Sequence, residues 1–210
     1  MRMLTIGLMA ALATMAAAPS AEAAVLEFSC ITPNAAAECA AGESQFAVEV
    51  IAGSGDQVGF VFTNVGANAS SITDVYFDDG TLLGIASIAS SPGVTFTQLA
   101  SPRNLPGGAS ISPAFETTAD FSADSSPPVQ PSGVNPGESL TIYFNLQGGG
   151  TLADVLAELA DGRLRIGIHG QGFANGGSAS FVNVPLPEPG SLALLAAAAG
   201  LAALRRRARS

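Results

Sequence analysis

Three sets of side chains in this sequence have types and spacings that could do chemistry: the aspartates Asp74, Asp78 and Asp79, the lone histidine His169, and the cysteines Cys30 and Cys39. The aspartates gather around an Asp-Gly pair, and hard carboxylate oxygens suit calcium. The D-x-D-x-D-G ligand loop is absent, however, and Asp-Gly is itself a turn former. A turn is the leading reading there and a calcium site at Asp74, Asp78 and Asp79 the lesser one. No other cofactor is expected. His169 is the single imidazole base. It sits in LRIGIHGQGF, on the strand face opposite Leu164, Ile166 and Ile168 and beside Arg163 and Arg165, and reads as a surface or network histidine. A hydrolase needs a nucleophile with an oriented base, or two carboxylates flanking a bond. There is no G-x-S-x-G elbow, and sequence spacing brings no two carboxylates together. The glycine-rich runs at 148–150 and 174–177 lack the lysine and helix of a phosphate loop and read as turns. The expectation is a non-catalytic protein. A secreted hydrolase acting on polysaccharide through a carboxylate site is the alternative.

The elements that would position these groups are mostly strands. Apolar residues alternate at Phe46, Val48 and Val50, at Val58, Phe60 and Phe62, and at Leu140, Ile142, Phe144 and Leu146. Leu164, Ile166 and Ile168 repeat the pattern, and this period of two marks half-buried strands. Val75 and Phe77 point opposite to Asp74, Tyr76 and Asp78. Asp79-Gly80 between YFD and TLL predicts a β-hairpin. Phe181 to Val184 predicts a last strand. One helix is expected, from Leu152, Val155, Leu156 and Leu159 at i, i+3, i+4 and i+7. Thr151 and Asp154 form its capping-box-like start, and Gly162 its stop. Residues 101–137 hold seven prolines and read as loop, with a strand near Phe115–Phe121. The predicted fold class is mainly β: a β-sandwich, with a jelly roll as its specific form, carrying one short amphipathic helix.

Both ends of the 210-residue chain differ from the middle. Arg2, the apolar stretch from Met3 to Ala18, Pro19 and the small-x-small box Ala21-Glu22-Ala23 make residues 1–23 a signal peptide, cut between Ala23 and Ala24. Residues 24–184 form the expected extracytoplasmic domain. That domain has no lysine and sets three arginines against fifteen acids, a net charge of −12. A nucleic-acid surface needs clustered cations, so nucleic acid is excluded as a partner. Export makes the cysteines readable. An even pair at short spacing in an oxidising compartment favours a Cys30–Cys39 disulfide over two free thiols.

The C-terminal segment 185–210 carries the most specific pattern. Pro185, Pro187 and Pro189 bracket Glu188 in a stiff extended piece. Gly190 to Leu204 is apolar and uncharged, and Arg205, Arg206, Arg207 and Arg209 close the chain. As a helix the apolar stretch spans about 22 Å, against about 30 Å of hydrocarbon. It is therefore a marginal transmembrane helix in the inner membrane, with the arginines as a cytoplasmic stop. This order of Pro187-Glu188-Pro189, short span and arginine cluster resembles the PEP-CTERM sorting signal of bacterial exoproteins, a tail also labelled ice-binding protein C-terminal. The segments SSITDVYFDDGTLLGI, SGVNPGESLTIYFNL and LRIGIHGQGFANGGSASFVN are similar to stretches of uncharacterised proteins of that kind. The resemblance implies recognition of Pro187, Glu188 and Pro189 by an exosortase, transient membrane anchoring, and release to the cell surface or medium. Extracellular polysaccharide is the expected contact, and the resemblance implies nothing about ice.

Overall fold

A computed structural model describes residues 23–79, 82–118 and 121–186. Its strands are β1 (Ala24–Cys30), β2 (Phe46–Ala52), β3 (Gln57–Asn64), β4 (Ser71–Asp78) and β5 (Leu83–Ser90). They continue with β6 (Phe96–Gln98), β7 (Ser122–Ser125), β8 (Ser139–Leu146), β9 (Arg165–Gln171) and β10 (Ala179–Asn183). The helices are α1 (Ala36–Glu43), the single turn α2 (Val129–Ser132) and α3 (Leu152–Asp161). The strands form one open, curled antiparallel sheet in the order β5-β8-β3-β2-β1-β10-β9-β4-β7-β6.

The joint of the curl is β1. Ala24 to Glu27 pair with β2, whereas Phe28 to Cys30 pair with β10. On either side lie two halves whose apolar faces meet. Phe77 of β4 lies 4.7 Å from the ring of Phe144 in β8 and 5.1 Å from that of Phe60 in β3. Phe46 of β2 meets Phe181 of β10 edge-on at 5.5 Å. The predicted alternation holds at these strands: Val48, Val50, Val58, Phe60, Phe62, Leu140, Ile142, Leu164, Ile166 and Ile168 are all buried.

The predicted helix is α3. Asp154 N–H donates to Thr151 Oγ1 at 3.3 Å, Thr151 N–H donates to Asp154 Oδ2 at 2.8 Å, and Gly162 ends the helix at φ 78°. Three sequence expectations are corrected. The helix is not single, because α1 precedes it. The Ala36–Glu43 stretch is alanine-rich and has the propensity for a helix without an amphipathic period. It is held by tertiary contact: a Cβ on Gly42 would lie 2.2 Å from the Phe181 ring. The strand expected near Phe115–Phe121 is instead Ser122–Ser125.

The Asp79-Gly80 hairpin does not form. β4 pairs with β9 and β7, and β5 pairs with β8 in the other half. Both edges of β4 are therefore taken. Asp79 turns the chain off the sheet instead: its N–H donates to Thr118 Oγ1 at 2.8 Å, and its Oδ2 accepts from Leu83 N–H at 3.1 Å. Gly80 and Thr81 lie outside the described residues.

Candidate functional site

Alternation along β4 sends Val75 and Phe77 to the core and Asp74, Tyr76 and Asp78 to the outer face. Neighbouring strands add their own outward residues in register. Three rows result, roofed by the segment 99–118, which runs from β6 to near the start of β7.

The first row is ionic. Arg165 of β9 is paired with Asp78 and reaches the roof, donating to Pro113 O at 2.8 Å and also to Ala114 O. Its guanidinium lies 5.4 Å over the Phe115 ring, a cation–π distance. Asp78 Oδ2 also accepts from Glu116 N–H at 3.1 Å.

The second row is mostly apolar. Tyr76 lies between Gly167 and Ser122, and Gly167 is opposite Val182. The missing side chain at Gly167 admits the roof: a Cβ there would lie 2.7 Å from Leu105 and 3.0 Å from Phe115. Tyr76 O–H donates to Pro102 O at 3.0 Å, and Ala100 N–H donates to Ser122 Oγ at 2.9 Å. Tyr76, Ala100, Leu105, Phe115 and Val182 thus form a second small core.

The third row is Asp124, Asp74, His169 and Ser180, contributed in register by β7, β4, β9 and β10. Asp74 is only 2 % exposed. Burial pushes its carboxyl up to about 7, opposed by the bond it accepts from Thr73 Oγ1 at 2.7 Å and reinforced by the charge of Asp124. The two aspartates stand directly opposite each other across the β4–β7 pair, an arrangement that disfavours charge on both carboxyls at once. Burial also raises Asp124, while Ser101 N–H donates to it and lowers it. His169 is pushed down by burial, so it is neutral at pH 7. Its Nδ1 lies 3.0 Å from Ser180 Oγ.

Carboxyl, imidazole and hydroxyl stand here in the order used by serine hydrolases. The geometry denies that chemistry, because Ser180 is 1 % exposed and no substrate carbonyl reaches it. What the row does hold is two carboxyls in register, that of Asp74 buried.

The aspartates singled out in the sequence do not converge. Asp78 is engaged by Arg165, Asp79 by Leu83 N–H, and Asp74 by Thr73 O–H. Among the described residues no three His, Cys, Asp or Glu side chains are grouped to hold a metal ion. His169 is a network histidine facing Asp74 and Ser180. It is not beside Arg163, which pairs with Glu158 and Asp161. Asp124 was missed, since it lies inside the proline-rich stretch 101–137 that reads as loop, and only strand pairing brings it to Asp74. Cys30 and Cys39 are bonded, with Cα atoms 5.3 Å apart, and tie the end of β1 to α1.

Ala23 and Ala24 stand at the start of β1. Residues 1–22, the motif Pro187, Glu188 and Pro189, the stretch 190–204 and the arginines Arg205, Arg206, Arg207 and Arg209 lie outside the described residues. No helix among the described residues is long and apolar enough to cross a membrane. No protein-family model, no curated protein and no solved structure matches the chain.

Proposed function

We propose that this chain is an exported, non-catalytic cell-envelope or extracellular-matrix protein, sorted through its C-terminal segment by an exosortase and in contact with exopolysaccharide. The observation that carries the reading is the Cys30–Cys39 bond, since such bonds persist in oxidising compartments outside the cytoplasm. The fate of the ionisable groups adds support. Asp78, Asp79 and Arg165 are spent on holding main chain, and His169 on a buried serine. We read the curled sheet as a β-sandwich of jelly-roll type, in which the Phe60, Phe62 and Phe144 rings of one half meet Phe77 of the other.

The test is expression of the full chain in hosts with and without an exosortase, followed by fractionation, intact-mass measurement and thiol labelling. The expected result is no free thiol, loss of the N-terminal 23 residues, and a cut near Pro187–Gly190 only where the exosortase is present. A retained tail in the exosortase host, or two labelled thiols, would overturn the proposal. A second reading, a secreted polysaccharide hydrolase, is favoured by one observation, the paired carboxyls of Asp74 and Asp124. Release of reducing sugar from polysaccharide by wild type, abolished by Asp124→Asn, would select it.

A further inference from the structure

We propose that the Asp74–Asp124 pair is a proton-operated latch, closing the 99–118 roof over the outer face of the sheet when it holds a proton and loosening the roof when it does not.

The roof is fastened at two ends of unlike chemistry. At one end Arg165 grips Asp78, Pro113 O and Ala114 O, and a guanidinium keeps its charge at every ordinary pH. At the other end the fastenings surround the carboxyl pair. Asp124 accepts from Ser101 N–H, Tyr76 O–H donates to Pro102 O, and Leu99 and Ala100 N–H donate to Ser122. Every one of these bonds holds the short stretch 99–102. That stretch begins at Leu99, whose φ of 77° is a left-handed conformation unfavourable for leucine. It is retained because its neighbours hold it. β6 and β7, which carry the roof's ends and Asp124 itself, pair over only three residues at the edge of the sheet. This is the least expensive part of the sheet to open.

The groups facing Asp74 leave its charge uncompensated. On β4 these are Thr73 and Tyr76, with Asp78 already bound to Arg165. β7 contributes Asp124 and Ser122, β6 contributes Thr97, and β10 contributes Ser180. On β9 they are a neutral His169 and the engaged Arg165. The roof adds Arg103, which is exposed and makes no ion pair among the described residues. A second negative charge on the pair therefore meets no cation there. It is relieved by moving Asp124 and the roof toward water.

The sign follows from the raised carboxyl. Stability from the protonated pair is complete below about pH 4, the ordinary carboxylate range. It is lost as pH rises to and through about 7. The roof is thus closed in acid. Above neutrality it loosens and uncovers Tyr76, Leu105 and Phe115, an apolar patch.

The chain contains no tryptophan, so Phe115→Trp places a single reporter at a buried roof position. In the disulfide-bonded full chain, its emission should move to longer wavelength between pH 5 and 8.5 with a midpoint near 7. Amide exchange of the 99–105 stretch, corrected for the intrinsic pH dependence, should rise about tenfold over the same range. Asp74→Asn, nearly isosteric and uncharged, should abolish both changes. His169→Gln and Asp78→Asn should keep them. If Asp74→Asn fails to fold, Asp124→Asn serves in its place and should also abolish them. A roof that does not respond to pH in the unsubstituted pair overturns the proposal. So does a response that survives both asparagine variants, or one that disappears with His169→Gln.

Discussion

The two halves of the sheet use the same strand geometry and end in different states. In β2, β3 and β8 one face is buried, and the other, with Glu49, Val61, Thr141 and Tyr143, stays open or half-buried. In β4, β9 and β10 nearly every residue is covered, polar ones included: Thr73, Asp74, Ser180 and Asn183 are less than 9 % exposed. The difference arises in part from the 99–118 roof and in part from residues 31 and 32, which bond to Ser180. A strand buried on both faces is normally apolar throughout. Here the second face is polar, and it is tolerated because the roof and its neighbours supply partners for it. Asn183 Oδ1, for instance, accepts from Ile166 N–H at 2.7 Å. One half is thus a sheet with a solvent side, and the other is the middle layer of three.

Substitutions can break or sharpen this contrast. Phe77→Ala removes the ring on which both halves converge and should cost about 3–5 kcal/mol, read as a lowered urea midpoint. A loss below about 1 kcal/mol would mean that the halves do not depend on each other. Opening the disulfide with Cys30→Ser and Cys39→Ser should cost about 2–3 kcal/mol, measured the same way. This change acts at the joint, so it should weaken both halves together and leave the transition single.

Arg165→Met should cost about 2 kcal/mol, because Asp78 keeps only the Glu116 N–H and the roof loses its grip. Amide exchange should rise over 113–116 and remain unchanged in β2 and β3, which distinguishes a local roof from a global core. Adding Asp78→Asn to Arg165→Met should recover part of the loss. Glu49→Gln on the open face of β2 should stay within about 0.5 kcal/mol of the parent in the same urea measurement. A larger effect would show that the open face, too, is covered.

Much of the fold was legible because its signals are local. The period of two in β2, β3, β8 and β9 is written in consecutive residues. The ends of α3 are written in Thr151, Asp154 and Gly162, each acting within one turn. The cysteine pairing was legible from count and spacing, since nine positions of separation allow closure. The Asp79-Gly80 hairpin misled for the opposite reason. A turn signal states that the chain can reverse, and not which strand it meets afterwards. Both edges of β4 had partners more than forty residues away along the chain, in β7 and β9.

By itself, then, the sequence determined that the domain is mainly β, where most strands lie, how α3 begins and ends, and that its middle is acidic and poor in imidazole. Only the tertiary structure decided that β4 sits between β7 and β9. That placement set Asp74 against Asp124 and faced His169 with Ser180. It also turned a proline-rich stretch into a roof whose bonds are made to residues of three different strands. The physical reason is range. Alternation, capping and turn preference act over a few residues. The raised Asp74 carboxyl depends on burial and on a second carboxyl brought opposite it by register. Both conditions belong to the curled sheet as a whole.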